Sequence, residues 1–330
     1  MLIAVVEMTV PVVVVSEEIV ASVRGRPIWN YVFLAVAVLV SAAFASTLSS
    51  LAGDSVTGIF GGLALITCFI LARVVHICLG RGQASFLSTS LAAQFFLRGA
   101  VVSIFLAMVL EVVGMTELRP KAVPWKDLPI ALLVGFSEEV AKMLSVIAGT
   151  VLIAASLPQD LVLLRPELNS QCLRTWTVLV ESPRALAAAG IAVGFGFMMT
   201  ENIEYFFMIF TLSSFGESLA AAGMRILLNL HPILTGLASS RLAKLVYASQ
   251  GVRSISIGKV ALALWPSIFL HALFDFGLMF ASTNPEDKFD TIFIITSILI
   301  IPTALGLLVA TYRALPVAGG PPLLAVTLAV

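Results

Sequence analysis

Apolar residues run along this chain in long blocks, separated by short stretches that hold most of its charges. Eight blocks have the length of a bilayer-crossing helix: 28–50, 56–79, 88–113, 128–156, 185–210, 219–247, 258–281 and 289–312. About 20 apolar residues wound as a helix cross a ~30 Å hydrocarbon core. Short segments of alternating polarity, the mark of transmembrane β-strands, are missing. The predicted fold class is all-α: a polytopic transmembrane helical bundle of about eight spans. Residues 1–20 are apolar too, but Glu7 and Pro11 interrupt them and Glu17-Glu18 end them. With no basic n-region and no clear cleavage site they make a poor signal peptide. Residues 1–27 read as an interfacial or re-entrant segment, and a ninth span there is left open. Residues 28–312 form the transmembrane domain, with a catalytic core over 128–281. In the tail, 313–330, Pro316, Gly319-Gly320 and Pro321-Pro322 would break a spanning helix. The one long connection, about 157–184, mixes Leu and Val with charges, as a segment lying on the membrane surface would.

Composition agrees. Of 330 residues 59% are hydrophobic and only 12% charged, with mean hydropathy +1.06 and a formal net charge of zero. A soluble domain carries about a quarter charged residues. There is no basic cluster to bind nucleic acid. Cys68, Cys78 and Cys172 are too few and too irregularly spaced for a disulfide framework or a zinc knuckle. Lysines and arginines fall unevenly on the two sides of the predicted spans. Eleven lie on the side of the 157–184 loop and the C-terminus, four on the other, and Arg73, Arg98, Lys142 and Arg225 inside spans. The positive-inside rule then makes the C-terminus cytoplasmic.

Four consecutive spans carry groups that lipid rejects. The fourth holds Glu138, Glu139 and Lys142 within VGFSEEVAKMLS; the fifth holds Glu201, Asn202, Glu204 and Tyr205. Arg225, Asn229, His231 and Thr235 lie in the sixth, and His271 and Asp275 in the seventh. A charge near the bilayer centre costs several kcal/mol, so each is a functional-site hypothesis. Counted from the predicted span ends at ~1.5 Å per residue, Glu138, Glu201, His231 and His271 all lie ~13–18 Å below the non-cytoplasmic surface. Helices of alternating direction have thus put their polar groups in one layer. Glu138 and Lys142, Glu201 and Tyr205, His231 and Thr235, and His271 and Asp275 are each four apart and share a helix face. Gly190, Gly194 and Gly196 would let neighbouring helices approach closely. Single groups such as Arg73, His76 and Arg98 read as snorkelling or structurally paired. Glu138 with Lys142 alone would read as a structural salt bridge, which leaves Glu139, Glu201, His231 and His271 in the same layer unexplained.

Adjacent carboxylates in a low dielectric cannot both ionise cheaply, and one poised in that way serves as a general base on water. Histidines donate to a developing oxyanion or exchange protons, and Asp275 could orient the ring of His271. Glutamate and histidine are also zinc ligands. This inventory fits hydrolysis inside the membrane, with or without a metal, and equally a proton relay for transport.

The order of these elements resembles the PrsW family of intramembrane proteases, distant relatives of the CAAX prenyl endopeptidases and the bacterial immunity-type membrane proteases. The elements are Glu138-Glu139-x-x-Lys142, then Gly194-Phe195-Gly196-Phe197 leading to Glu201-Asn202-x-x-Tyr205, then His231 with Arg225 and Thr235, then His271 with Asp275, within residues 134–276. The resemblance implies a multi-pass peptidase that cuts membrane-anchored protein substrates, typically in regulated proteolysis of a single-pass protein. Glu138 or Glu139 would activate water, and Glu201, His231 and His271 would complete the catalytic set. Asn202 would be an oxyanion donor, Lys142 a charge partner, and Tyr205 and Asp275 supporting groups. A metal form of the site, with zinc the natural ion, would draw its ligands from Glu139, Glu201, His231 and His271. The first 85 or so residues depart from a minimal version of the pattern. There is no HExxH, no Gly-x-Ser-Gly and no paired Tyr-Asp and Gly-x-Gly-Asp arrangement. A proton- or cation-coupled transporter is the alternative, against which no two-fold repeat or matched pair of broken helices is found. A catalytically silent membrane scaffold is a third reading.

Overall fold

The computed structural model describes residues 38–39, 42–43, 45–47, 55–80, 89–117, 127–155, 176–177, 182–212, 230–247, 254–282 and 289–316. Segment 1–27, most of the first predicted span, Cys172 and nearly all of the 157–184 connection lie outside these residues. So do Arg225, Asn229 and the tail beyond 316. The helices are α1 (Ser55–Gly80), α2 (Thr89–Arg98) continuing through a π-helical turn (Gly99–Ser103) into α3 (Ile104–Glu117), α4 (Asp127–Ala155), α5 (Pro183–Leu212), α6 (Leu230–Tyr247), α7 (Ile257–Ser282) and α8 (Phe289–Arg313). Trp176–Thr177 (β1) and Ser254–Ile255 (β2) make a short antiparallel pairing that ties two connections together. The start of the sixth predicted span, 219–229, lies outside the described residues; the other ends of spans two to eight fall within two residues of the expected ones, except that α3 runs four residues further. The chain is an all-α membrane helical bundle. Leu91–Gly114, Pro183–Tyr205, Ile257–Phe280 and Ile295–Arg313 are long and apolar enough to cross a membrane. At 29 residues, α4 has the length, but it carries Glu138, Glu139 and Lys142 in its middle.

Local chemistry starts and holds these helices. Ser182 caps α5, its Oγ accepting the N–H of Ala185 at 3.1 Å, and Pro183 follows in the first helical position. Asp127 lies in the first turn of α4, where its charge opposes the helix dipole. Pro266 inside α7 has no N–H to offer Leu262 O four residues back, and Arg241 of α6 donates to that carbonyl instead at 3.1 Å.

The bundle is organised around α5. Its apolar window is 83% buried, against 28%, 33% and 22% for the other three candidate spans, whose outer faces are left for lipid. Burial of that depth requires close approach. A Cβ on Gly196 would strike Phe96 O of α2, and one on Gly194 would lie 2.7 Å from His231 O of α6. Thr200 donates to Ala100 O within the π turn at 2.7 Å, seating that turn beside the polar layer. On the other side, a Cβ on Gly135 of α4 would come within 2.9 Å of Ala272 N of α7. The largest apolar cluster joins Met143 and Val146 of α4, Leu186 and Val193 of α5, Leu242 and Val246 of α6, and Leu264 of α7. All of these lie toward one end of the bundle from the polar layer, so the layer rests on a packed floor.

Gly196→Val should therefore wedge α5 from α2, destabilise the fold by more than the ~1–3 kcal/mol typical of overpacking, and lower the thermal unfolding temperature in detergent accordingly. Gly258→Ala, where an added Cβ meets nothing within 4 Å, should leave it unchanged or slightly raised.

Candidate active site

Four helices supply the polar layer: α4 brings Glu138, Glu139 and Lys142, α5 brings Glu201, α6 brings His231, and α7 brings His271 and Asp275. The i, i+3 and i, i+4 spacing on α4 lets Lys142 Nζ reach both glutamates, Glu139 Oε1 at 2.7 Å and Glu138 Oε2 at 3.3 Å. The same ammonium lies 3.0 Å from His231 Nδ1 and 4.3 Å from the Phe197 ring centre. Lys142 is fully buried, so these contacts replace its hydration shell.

The partners of each ring nitrogen limit what each histidine can do. Lysine can only donate, so His231 Nδ1 carries a lone pair, and His231 Nε2 places its N–H against Glu201 Oε2. His271 Nδ1 lies 3.0 Å from Glu139 Oε1 and donates to it. His271 Nε2 lies 3.6 Å from Glu138 Oε2 and 3.5 Å from Asp275 Oδ2; it donates to them when the ring is protonated and turns a lone pair to them when it is neutral. His231 Nδ1 is also 3.6 Å from Glu138 Oε2, and the two rings meet edge to face with centroids 5.2 Å apart. Glu138, His231 and His271 each turn one ligand atom toward a common point, all three within 4.8 Å of one another. Lone pairs aimed at a carboxylate from two sides repel unless positive charge lies between them. Tetrahedral coordination with bonds of ~2.1 Å separates ligand atoms by ~3.4 Å, close to the observed spacings to Glu138. The donor set and its geometry thus fit a divalent ion.

Burial grades across the site. Lys142 and Glu139 side chains are 0% exposed and His271 2%, whereas Glu138, His231, Glu201 and Asp275 reach 9%, 11%, 12% and 16%. The first group forms the floor and the second the mouth. Of the other groups singled out in the sequence, Asn202 donates to Cys68 Sγ of α1 at 3.8 Å, Tyr205 lies on an exposed face, and Thr235 is buried one turn below His231. Glu111 of α3, which the sequence reading did not single out, also belongs to this neighbourhood: its charged neighbours are Glu138, Asp275, Glu201 and His271.

A multi-pass helical bundle with carboxylates and imidazoles gathered at one buried point has the construction of a membrane-embedded hydrolase. The chain belongs to the PrsW family: the profile described as PrsW family intramembrane metalloprotease matches residues 88–307. It is therefore an intramembrane peptidase whose substrate is a protein in the membrane. No curated protein and no solved structure matches the chain.

Replacing Lys142 with Met leaves Glu138 and Glu139 facing each other without their cation. Removing one partner of a buried pair costs ~3–5 kcal/mol, so the variant should unfold correspondingly earlier in detergent melts. Lys142→Arg, which keeps the charge, should lose less.

Proposed function

We propose that this chain hydrolyses peptide bonds of membrane-anchored proteins at a divalent-metal site held by Glu138 Oε2, His231 Nδ1 and His271 Nε2. The observation that carries this reading is the convergence of those three atoms, with each histidine's other nitrogen on a carboxylate. Carboxylate–histidine pairs of that kind set the tautomer and hold the ring of a metal ligand. Glu201 plays this part for His231, and Glu139 plays it for His271. This assignment uses Glu138 as the ligand and gives Glu139 and Glu201 the supporting place. A bound ion would supply Lewis acidity toward water and the scissile carbonyl, and zinc suits the oxygen and nitrogen donors.

The remaining work falls to the protein's own groups. Asp275 Oδ2 is buried, lacks a hydrogen-bond partner among the described residues and lies toward the mouth, where it can take the proton released by water. Lys142 balances Glu139; its ammonium donates to the single lone pair of His231 Nδ1 in this structure, and with an ion held there it would turn to Glu138 and Glu139 instead. The lysine–arginine asymmetry supports a cytoplasmic C-terminus, and membership of the family supports regulated cleavage of a single-pass membrane protein as the task.

A second reading has its own observation. The Lys142 ammonium, 3.0 Å from His231 Nδ1, already supplies positive charge beside one of the three atoms. In that version Glu138 itself takes the proton from water and no ion is needed. Both versions put Glu138 at the reacting atoms.

Metal analysis of the purified protein separates them. The preferred reading expects about one divalent ion per chain, loss of it in Glu138→Gln, His231→Ala and His271→Ala, and a 10- to 100-fold weaker hold in Glu139→Gln and Glu201→Gln. Chelation should abolish cleavage and added zinc restore it. Active protein without bound metal would favour the second reading. Wild-type cleavage by Glu138→Gln, where a drop of at least about 10²-fold is expected, would remove both.

A further inference from the structure

A peptide bond in a membrane helix cannot be cut while its carbonyl is closed into the helical ladder. Opening the substrate exposes one N–H and one C=O per residue, and each left unpaired in hydrocarbon costs several kcal/mol. The enzyme must therefore supply a donor and an acceptor beside the reacting glutamate that its own structure does not use.

One such pair stands where α3 meets α4. The two helices run antiparallel in a regular register. Ser103 bonds Ser145 Oγ to Oγ at 2.8 Å, Ala107 packs in one cluster with Ala141, and Gly114 lies against Leu133. Glu111 is four residues beyond Ala107, and Ser137 is four before Ala141, so this register sets Glu111 opposite Ser137. Ser137 is fully buried, and its Oγ has no hydrogen-bond partner among the described residues. It directly precedes Glu138. Glu111 is half-buried, within electrostatic reach of Glu138, Asp275 and Glu201. Beside it on α3, Met108, Val109 and Val112 are exposed, as is Phe136 next to Ser137, so this seam opens toward lipid. A serine hydroxyl can donate to a carbonyl, and a carboxylate can accept from an amide N–H.

We propose that Glu111 and Ser137 hold the opened backbone of the substrate beside Glu138, with Ser137 donating to a carbonyl and Glu111 accepting an N–H. The substrate segment would reach the site through the α3–α4 seam. This inference rests on the proposed role of Glu138 at the reacting atoms.

The test uses a fluorescence-quenched single-pass peptide, taken from a panel as one that the wild-type protein cuts and Glu138→Gln does not. If no member of the panel is cut, or Glu138→Gln cuts it equally well, the proposed function fails and this inference with it. On that peptide, Glu111→Leu and Ser137→Ala should each raise KM about 10- to 100-fold, the range for a hydrogen bond lost to a charged or buried partner. Metal content and unfolding temperature should stay at wild-type values. Replacing backbone N–H by ester oxygen, one position at a time, isolates the contact as a double-mutant cycle. At one position the ester should weaken wild-type binding and have no further effect in Glu111→Leu. The proposal is overturned if KM is unchanged in both variants, if their loss tracks lost metal, or if every ester position penalises wild type and Glu111→Leu equally.

Discussion

The Lys142 ammonium is the constraint around which the polar layer is arranged. It is fully buried in a helix that lies among apolar ones, and it can stay charged only because Glu139, Glu138 and His231 lie within 2.7, 3.3 and 3.0 Å of it. Two of these partners are on its own helix, but the third comes from α6. Bringing His231 that close demands the tight crossing of α5 and α6 at Gly194, since any larger side chain would meet the backbone of His231 and Pro232. The glycine, the lysine and the histidine are one requirement expressed at three positions. A buried ion pair is weak grounds for net stability, because desolvation offsets much of the attraction. Its value here is in orientation: the ammonium tells His231 which nitrogen keeps its lone pair.

A second consequence is the division of the site into a sealed side and an open one. The cluster of Met143, Val146, Leu186, Val193 and Leu242 closes the end of the bundle beyond Lys142, so water cannot reach the ion pair from there. Ser267 donates to Leu234 O at 2.8 Å, one turn before His271, and fixes α7 against α6 on the same side. Exposure rises only toward Glu138, Glu201 and Asp275. Preorganised charge is strongest where water is excluded, and water is nevertheless a reactant in peptide hydrolysis. A floor without solvent and a mouth with some meets both conditions.

Much of this was legible in the sequence, and the reason is specific. Bilayer thickness sets span length, so the described helix ends nearly all fell where the apolar blocks end. The layer was legible because alternating helix direction turns residue number into depth, and Glu138, Glu201, His231 and His271 shared one depth. What could not be read was azimuth, the direction in which each group points around its helix. Glu201 and Asn202 are neighbours in sequence, yet Glu201 meets His231 while Asn202 meets Cys68 of α1. Glu138 and Glu139 are likewise adjacent, and only the packing against α7 shows that Glu139 takes His271 Nδ1 while Glu138 faces both imidazoles. The π turn at Gly99–Ser103 is the sharpest case. Its extra residue shifts the helical phase of everything after it, so the face to which Glu111 belongs cannot be obtained by counting at 3.6 residues per turn.

Charge accounting connects the site's geometry to its chemistry. Glu138, Glu139, Glu201, Asp275 and Glu111 gather five carboxylates around one ammonium and two imidazoles. A divalent ion held by Glu138, His231 and His271 would bring the positive charge to three, two short of balance while both imidazoles are neutral. In a low dielectric such a deficit is not left standing; protons or positive charge on the substrate must meet it. The carboxylates nearest the mouth, Asp275 and Glu111, are where either can arrive. Peptide hydrolysis needs the same thing, because water gives up a proton at one moment and the leaving amine takes one at the next. A surplus of carboxylates at the open edge of a sealed pocket would hold that proton between the two events. For a structural ion-pair network this surplus would be a pure cost, since one ammonium balances one carboxylate and leaves the others uncompensated. The excess of acid over base therefore favours a reacting site over a packing device.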